Sequence, residues 1–551
     1  MKSQYEKRLS QLKQEQSSFV DHWKDVQEFV APYRGRFDDA NINDGRRRGG
    51  SILRDTAGLS LRVFASGMMA GVTSPAYPWF RFRTTNLDLM ENNEVKEWLY
   101  QCEQRMRDVF NGSNLYRCLP TLYAELGLFS TACMIVDKSF KDVIRCFVPT
   151  IGSYFCANND EYRVDVVYRI FSMTVAQLMQ KHEKDGWNVS NRVKNLFKEG
   201  NLETWVKICH VTEPNDSRIV EKGFAKNMAM RSVFFEQGYS EEDQLLHVGG
   251  YEENPALVIR WDTVAEDVWG LDCPAMKALG DIKQLQTQAK EKGKAIAKKV
   301  SPPLVGPPRL AGKKINAIPN GFTEAEEMEG QSKLRPLYEV NISISELVQD
   351  MSETQQMIRS AFFEDLFLML ANTDRRQITA REVAERHEEK LLMLGPVLVR
   401  VHDELLSPLV ERTFGIMLRG KLFPPTPEPL VGTDLKVEFV SLLAQAQKAL
   451  GVSAMDEMSV FVAQISSLDP SARHKLDINE IIDAKAEALG VPPNIIRTGE
   501  EVAQIMQAEA QQQQAAAAMQ NMQSMAGIAK DVGAASDTRL PDILQGIAGT
   551  R

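Results

Sequence analysis

Between residues 3 and 31, apolar side chains stand at Leu9, Leu12, Phe19, Trp23, Val26 and Val30, spaced by three, four and seven among charged neighbours. That spacing predicts one helix with a single apolar stripe, ended by Pro32. A second helix is expected to end in "VFASGMMAGVTSPAYPWF", where Ala65, Ser66, Gly67, Ala70 and Gly71 let another backbone come close and Gly71 can stop the helix. Pro75 and Pro78 stiffen the exit, and Trp79 and Phe80 supply large apolar anchors.

From 141 to 273 the period changes. "EYRVDVVYRIF" alternates Val164, Val166, Tyr168 and Ile170 with Arg163, Asp165 and Arg169, as a half-buried strand does. Similar runs at 204–211, 231–236 and 256–261, with short helices opened by Thr174 and Ser190, predict an α+β block. Then Pro274 starts a helix predicted to run to Val300, and Ser343 with Glu346 forms a capping box for another, "SELVQDMSETQQMIRSAFFEDLFLML". Each is expected to be about 40 Å long at roughly 1.5 Å per residue. The forty or so residues between them are rich in proline and glycine and read as a stiff, loop-rich module.

After the polar loop "ANTDRRQ", a capping box at Thr379 and Glu382 opens a very long helical pattern. Leu391, Leu394, Leu398, Val401, Leu405 and Leu409 keep it through Pro396 and Pro408, which should kink it. "LKVEFVS" is a strand candidate. The remainder is mostly helical in pattern and ends in the Ala/Gln-rich run "AEAQQQQAAAAMQNMQSMAG", a helix if neighbours bury it. The expected fold class is α+β, predominantly helical.

Composition narrows the function. No apolar h-region opens the chain, and no stretch reaches the eighteen or so apolar residues of a membrane span. The seven cysteines include no C-x-x-C pair and read as reduced core residues. A net charge of -9 argues against a protein that wraps nucleic acid over its whole surface, so contact with DNA should be local. One local site stands out: "KEKGKAIAKKVSPPLVGPPR", residues 290 to 309, carries six basic residues against Glu291 alone. Arg46, Arg47 and Arg48, between glycines, read first as a solvated surface.

Catalytic chemistry is not signalled. "GPPRLAGKK" has five residues between Gly306 and Gly312 where a phosphate loop has four, Lys314 in place of the Ser or Thr, and prolines that remove N–H donors. There is no H-E-x-x-H, G-x-S-x-G or G-x-G-x-x-G, so no catalytic residue, metal site or cofactor is assigned. His387 and His402 are expected on the wet side of the long helix.

"ILRDTAGLSLRVFASGMMAGVTSPAYPWFRF", "GYEENPALVIRWDTVAEDVWGLDCPAMKALGDIKQLQ" and "ITAREVAERHEEKLLMLGPVLVRVHDELLSPLVERTF", in this order, resemble the head-to-tail connector, or portal, proteins of short-tailed bacteriophages. The resemblance covers about residues 1 to 500. It implies a ring of about twelve identical subunits at one capsid vertex, through which a separate terminase packages double-stranded DNA. It also names the parts: a wing over 1–273, stem helices over 274–300 and 343–371, and a clip over 301–342. A tunnel loop over 372–378, a kinked wing helix and return strand over 379–440, a crown over 441–500 and a C-terminal barrel helix and tail over 501–551 complete the set.

By the same resemblance, capsid, scaffolding and tail adaptor proteins are partners, and the site is the virion's head-tail junction after assembly in host cytoplasm. Lys290, Lys294, Lys298, Lys299, Arg375 and Arg376 are then candidates to line a DNA channel. At 100° per residue Lys290, Lys294 and Lys298 share one helix face and Lys292 and Lys299 another, which can meet the acidic second rod of a neighbouring subunit. Twelve helices spaced about 10 Å apart close a circle near 38 Å across between axes, leaving roughly 28 Å free. A tail adaptor or capsid-associated scaffold is the alternative reading, and a cytosolic hydrolase the outsider.

Overall fold

The computed structural model describes residues 2–37, 45, 48–86, 89, 92–219, 225–238, 244–300, 304–305, 335–336, 344–372, 393–430, 432 and 435–440, with single positions between 461 and 512. Two units divide the chain, Met1–Gly451 and Val452–Arg551. In the second, the described positions are helical.

The first unit opens with α1, Lys2–Phe29, whose Leu9, Leu12, Trp23 and Val26 are buried as the stripe requires. Helix α2, Thr56–Val72, passes Gly71 by one residue and stops at Thr73. Strand β1 is Phe80–Thr84. Helices α3, Asn93–Gly112, and α4, Leu115–Phe129, follow, and α4 packs on α2. Ser130, in the left-handed region at φ 59°, turns the chain sharply into β2, Thr131–Ser139.

β2 lies between β3, Val143–Phe147, and β9, Ala256–Arg260, both antiparallel to it. A second, five-stranded sheet is an antiparallel meander of β4 (Tyr154–Asn158), β5 (Val164–Thr174), β6 (Trp205–Pro214), β7 (Met230–Glu236) and β8 (His247–Tyr251). Between β5 and β6 stand α5, Val175–Asp185, and α6, Asn191–Lys198. Thr174 and Gln177 close a capping box on α5, and Ser190 accepts from the Val193 N–H on α6. The caps at Thr174 and Ser190 therefore form as read from the sequence, and strands form at the expected runs, although burial does not alternate along β5 or β9.

Two expected rods are broken. The first divides into a short turn, α7 (Pro274–Lys277), and α8 (Leu279–Val300), with Ala278 between them. The second divides into α9, Ile344–Ala361, and α10, Glu364–Asn372, because Phe363 takes φ 55°. That break turns Phe362, Leu366 and Phe367 into the core, where the Phe367 ring lies edge-on to Phe64. At 22 and 18 residues, α8 and α9 are about 33 and 27 Å long, shorter and less equal than the periodicity suggests. Gly67 of α2 makes the approach of α10 possible: a Cβ there would overlap the Phe367 ring.

The long helical pattern is described from residue 393. It runs through Pro396, widens into a π-helical turn over Val401–Leu406 and continues as the helix Ser407–Arg419. Pro408 explains the widening, since its ring crowds the carbonyl four residues back, and the Ser407 N–H donates five residues back to His402. After the short pair β10 (Leu304–Val305) and β11 (Arg335–Pro336), strand β12, Leu435–Phe439, returns to pair with β1 in antiparallel register, Phe80 opposite Phe439. The main apolar core runs from Trp23 to Leu430 in sequence, and two smaller clusters pack the five-stranded sheet, one against α1 and one against α5 and α6. Among the described residues, no helix is long and apolar enough to cross a membrane.

Candidate functional site

α8 is seated on the core by Ile282 and Leu285, both fully buried. Gln286 fixes its rotation: its side-chain oxygen accepts from the N–H groups of Leu53 (2.7 Å) and Arg54 (2.9 Å), and its nitrogen donates to the Arg54 carbonyl (2.9 Å). Lys283 reaches α1, where it pairs with Asp25 at 2.6 Å and lies over the Phe29 ring. On another side Gln288 donates to Asp350 (2.6 Å) and Thr354 (3.3 Å) of α9, which packs alongside.

That seam sorts the lysines. Lys292 and Lys299 lie within about 40° of Gln288 around the helix, but Lys299, in the last turn of α8, lies beyond the reach of α9, which begins at Ile344. Asp350 of the same chain closes the seam at Gln288. Lys292 is accordingly half-buried, whereas Lys290, Lys294, Lys298 and Lys299 are exposed. Lys290, Lys294 and Lys298 stand on the side turned away from the core stripe. Lys294 bonds to Glu291 at 2.7 Å, and this bond holds the Glu291 carboxyl below the usual carboxylate range. The outer side of α8 thus carries exposed ammonium groups.

Arg375 and Arg376 lie outside the described residues, as do the phosphate-loop lookalike, His387, Arg46, Arg47 and the capping boxes at Ser343 and Thr379. Of the module between the rods, the short pairing of Leu304–Val305 with Arg335–Pro336 is described. His402 is not on a wet helix face: it stacks on Phe439 at 4.3 Å between ring centroids, 10° from parallel. The π-helical turn rotates it toward β12. All seven cysteines are free, and burial pushes the thiols of Cys102, Cys133, Cys146 and Cys273 up to about 12, so they stay protonated. Among the described residues, no group of three His, Cys, Asp or Glu side chains is placed to hold a metal.

The sequence reading missed two buried ion-pair seams that dock the kinked helix on β2 and β9. Arg260 donates to Glu404 through Nη2 (2.6 Å) and Nε (3.2 Å), and the Arg260 N–H donates to the other carboxylate oxygen at 2.8 Å. Arg412, 3% exposed, donates to the carbonyls of Val136 (2.8 Å) and Glu253 (2.7 Å) beneath the Tyr251 ring. The available signal was a glutamate and an arginine eight residues apart on an otherwise apolar helix side.

Residues 2–496 match the family described as bacteriophage head to tail connecting protein. The chain is 42% identical over 542 residues to the portal protein of Salmonella phage epsilon15, covering 98% of this chain and 97% of that protein. It is 40% identical over 545 residues to the probable portal protein of Bordetella phage BPP-1, covering 98% of each. Among solved structures, a chain of the virion of a native gene transfer agent particle is similar at 13% identity over 82% of this chain and 97% of that one. Its TM-score of 0.32 is too low to compare the folds element by element.

Proposed function

The chain belongs to the bacteriophage head to tail connecting protein family and serves as a phage portal, and from that premise we propose that its copies close a ring of about twelve subunits around passing double-stranded DNA. The observation that carries the role is the 42% identity to a portal protein over 98% of the chain. In this reading α8 and α9 are the stem, residues 301–342 the clip, 372–378 the tunnel loop, 441–500 the crown and 501–551 the barrel. Terminase, scaffolding and tail adaptor proteins dock on the ring, which is assembled in host cytoplasm and built into the virion at one vertex.

Lys290, Lys294, Lys298 and Lys299, with Arg375 and Arg376, supply positive charge to the bore. A conduit has to release every phosphate it meets, so a few exposed lysines on an acidic protein suit it better than a continuous basic surface. Exposed ammonium groups attract the duplex through solvent and, being hydrated and mobile, exchange phosphates without a large barrier. Contacts of this kind carry no base information, so DNA of any sequence passes. The chain supplies the passage, and ATP-driven motion comes from the terminase.

Negative-stain images of the purified full-length chain test the reading. Ring-shaped particles with a stain-filled centre are expected, and native mass gives their subunit number. A preparation that stays monomeric at every concentration, with no ring at the neck of intact virions, overturns it.

A further inference from the structure

The β2–β3 hairpin ends in Phe140, whose relative exposure of 102% puts it wholly in solvent. A single exposed apolar side chain is ordinary, but this one is held out by a built turn. Ser139 Oγ accepts from the N–H groups of Lys141 (3.3 Å) and Asp142 (3.2 Å). Val143 closes the loop at φ 64°, in the left-handed region that a β-branched residue enters only under strain. Three-residue hairpin loops normally place glycine there. Lys138 lies 5.7 Å from the Phe140 ring centre, and Lys141 and Arg145 are exposed beside it, with Asp142 as the opposing charge. Strand addition is not the purpose of this edge, because the Asn114 amide already occupies it, accepting from the Cys146 N–H (2.8 Å) and donating to its carbonyl (2.7 Å).

The opposite end of β2 carries a complementary surface. There Thr131 pairs with Arg260, the last residue of β9. The loop after Arg260 exposes Val264 (55%), and the β4–β5 turn exposes Tyr162 (54%). The two loops are tied together: Arg260 donates to the Tyr162 carbonyl at 3.0 Å, and Asn158 donates to the Glu266 carbonyl at 3.5 Å. Exposed Asp160, Glu161, Asp262 and Glu266 rim them, with Arg163 as the opposing charge.

A basic-flanked aromatic knob and an acid-rimmed apolar patch thus stand at the two ends of one nine-residue strand. At about 3.3 Å per residue they are roughly 30 Å apart, so they cannot meet within one copy. We propose that the Phe140 hairpin of each copy docks on the Tyr162–Val264 patch of the next, head to tail. A head-to-tail contact repeats from subunit to subunit and closes a ring when its rotation allows. The proposal rests on the ring reading above.

The test uses the purified full-length chain and native mass spectrometry across a concentration series. Phe140→Asp and, separately, Lys138→Glu with Lys141→Glu should each raise the concentration needed for rings at least tenfold, with circular dichroism unchanged because these side chains are exposed. Adding Asp262→Lys and Glu266→Lys to the lysine variant should restore assembly, since the charges are then exchanged across the contact. Rings from Phe140→Asp at wild-type concentrations overturn the docking proposal and leave the ring reading standing. A wild-type chain that never forms rings overturns both.

Discussion

Glu103 is partly buried, accepting from the Phe82 N–H at 2.7 Å, and desolvation pushes its carboxyl up to about 7 against the pull of Arg81 and Arg107. A raised carboxyl pKa means that the folded chain binds a proton more tightly than the unfolded one. Stability from this group is therefore complete below its ordinary value of 4.5 and is lost as pH rises through about 7. Glu103→Gln keeps the shape and the acceptor without the charge. It should leave stability unchanged near pH 4 and raise it at pH 8 by an amount on the order of 3 kcal/mol, read from urea midpoints at the two pH values. His210 runs the other way. Stacked on Phe234 at 4.0 Å and bonded to Ser232, it is pushed down to about 3 by burial, so its contribution is lost as pH falls below 6.5.

At the scale of elements, the kinked helix is held to the sheet by guanidinium groups as well as by Leu405, Leu409 and Ile416. Arg412 spans two strands and a loop because its planar head can donate in several directions at once. Arg412→Met preserves much of the volume but leaves the Val136 and Glu253 carbonyls without their donor in a buried site. A loss of about 2–4 kcal/mol in unfolding free energy is expected by denaturant titration. Glu253 retains its two bonds to Arg419, which limits the damage on the acidic side. A loss below about 1 kcal/mol would mean that apolar packing alone docks the helix.

At the scale of the molecule, the outward lysines of α8 are the part of the fold that packing least requires. Lys294→Glu combined with Lys298→Glu should change stability by less than about 1 kcal/mol, since both side chains are exposed and a helix-surface pair such as Lys294 with Glu291 contributes only a few tenths. Rings should still form. Particles assembled with this variant should contain less DNA per head, measured by nuclease-protected DNA against capsid protein. Full heads in the variant would remove these lysines from the passage of DNA while leaving the ring in place.

Local order was legible in the chain itself. The α1 stripe, the capping box at Thr174 and the cap at Ser190 depend on neighbours within a few residues and survive in the fold; β5 forms where expected, although Val166, Val167 and Tyr168 are buried in succession because both of its faces are covered. The likeness to phage connectors was carried by the order of such segments. Contacts between distant residues were decided by the tertiary structure. Phe363 breaks the second rod because Phe362 and Phe367 gain more by entering the core near Gly67 than the helix gains by continuing. Which lysines face outward was settled by Gln286 and Gln288, whose partners lie 232 and 62 residues away. A sequence specifies short-range geometry through backbone sterics and side-chain period, but a surface formed from strands hundreds of residues apart exists only once the chain has closed on itself.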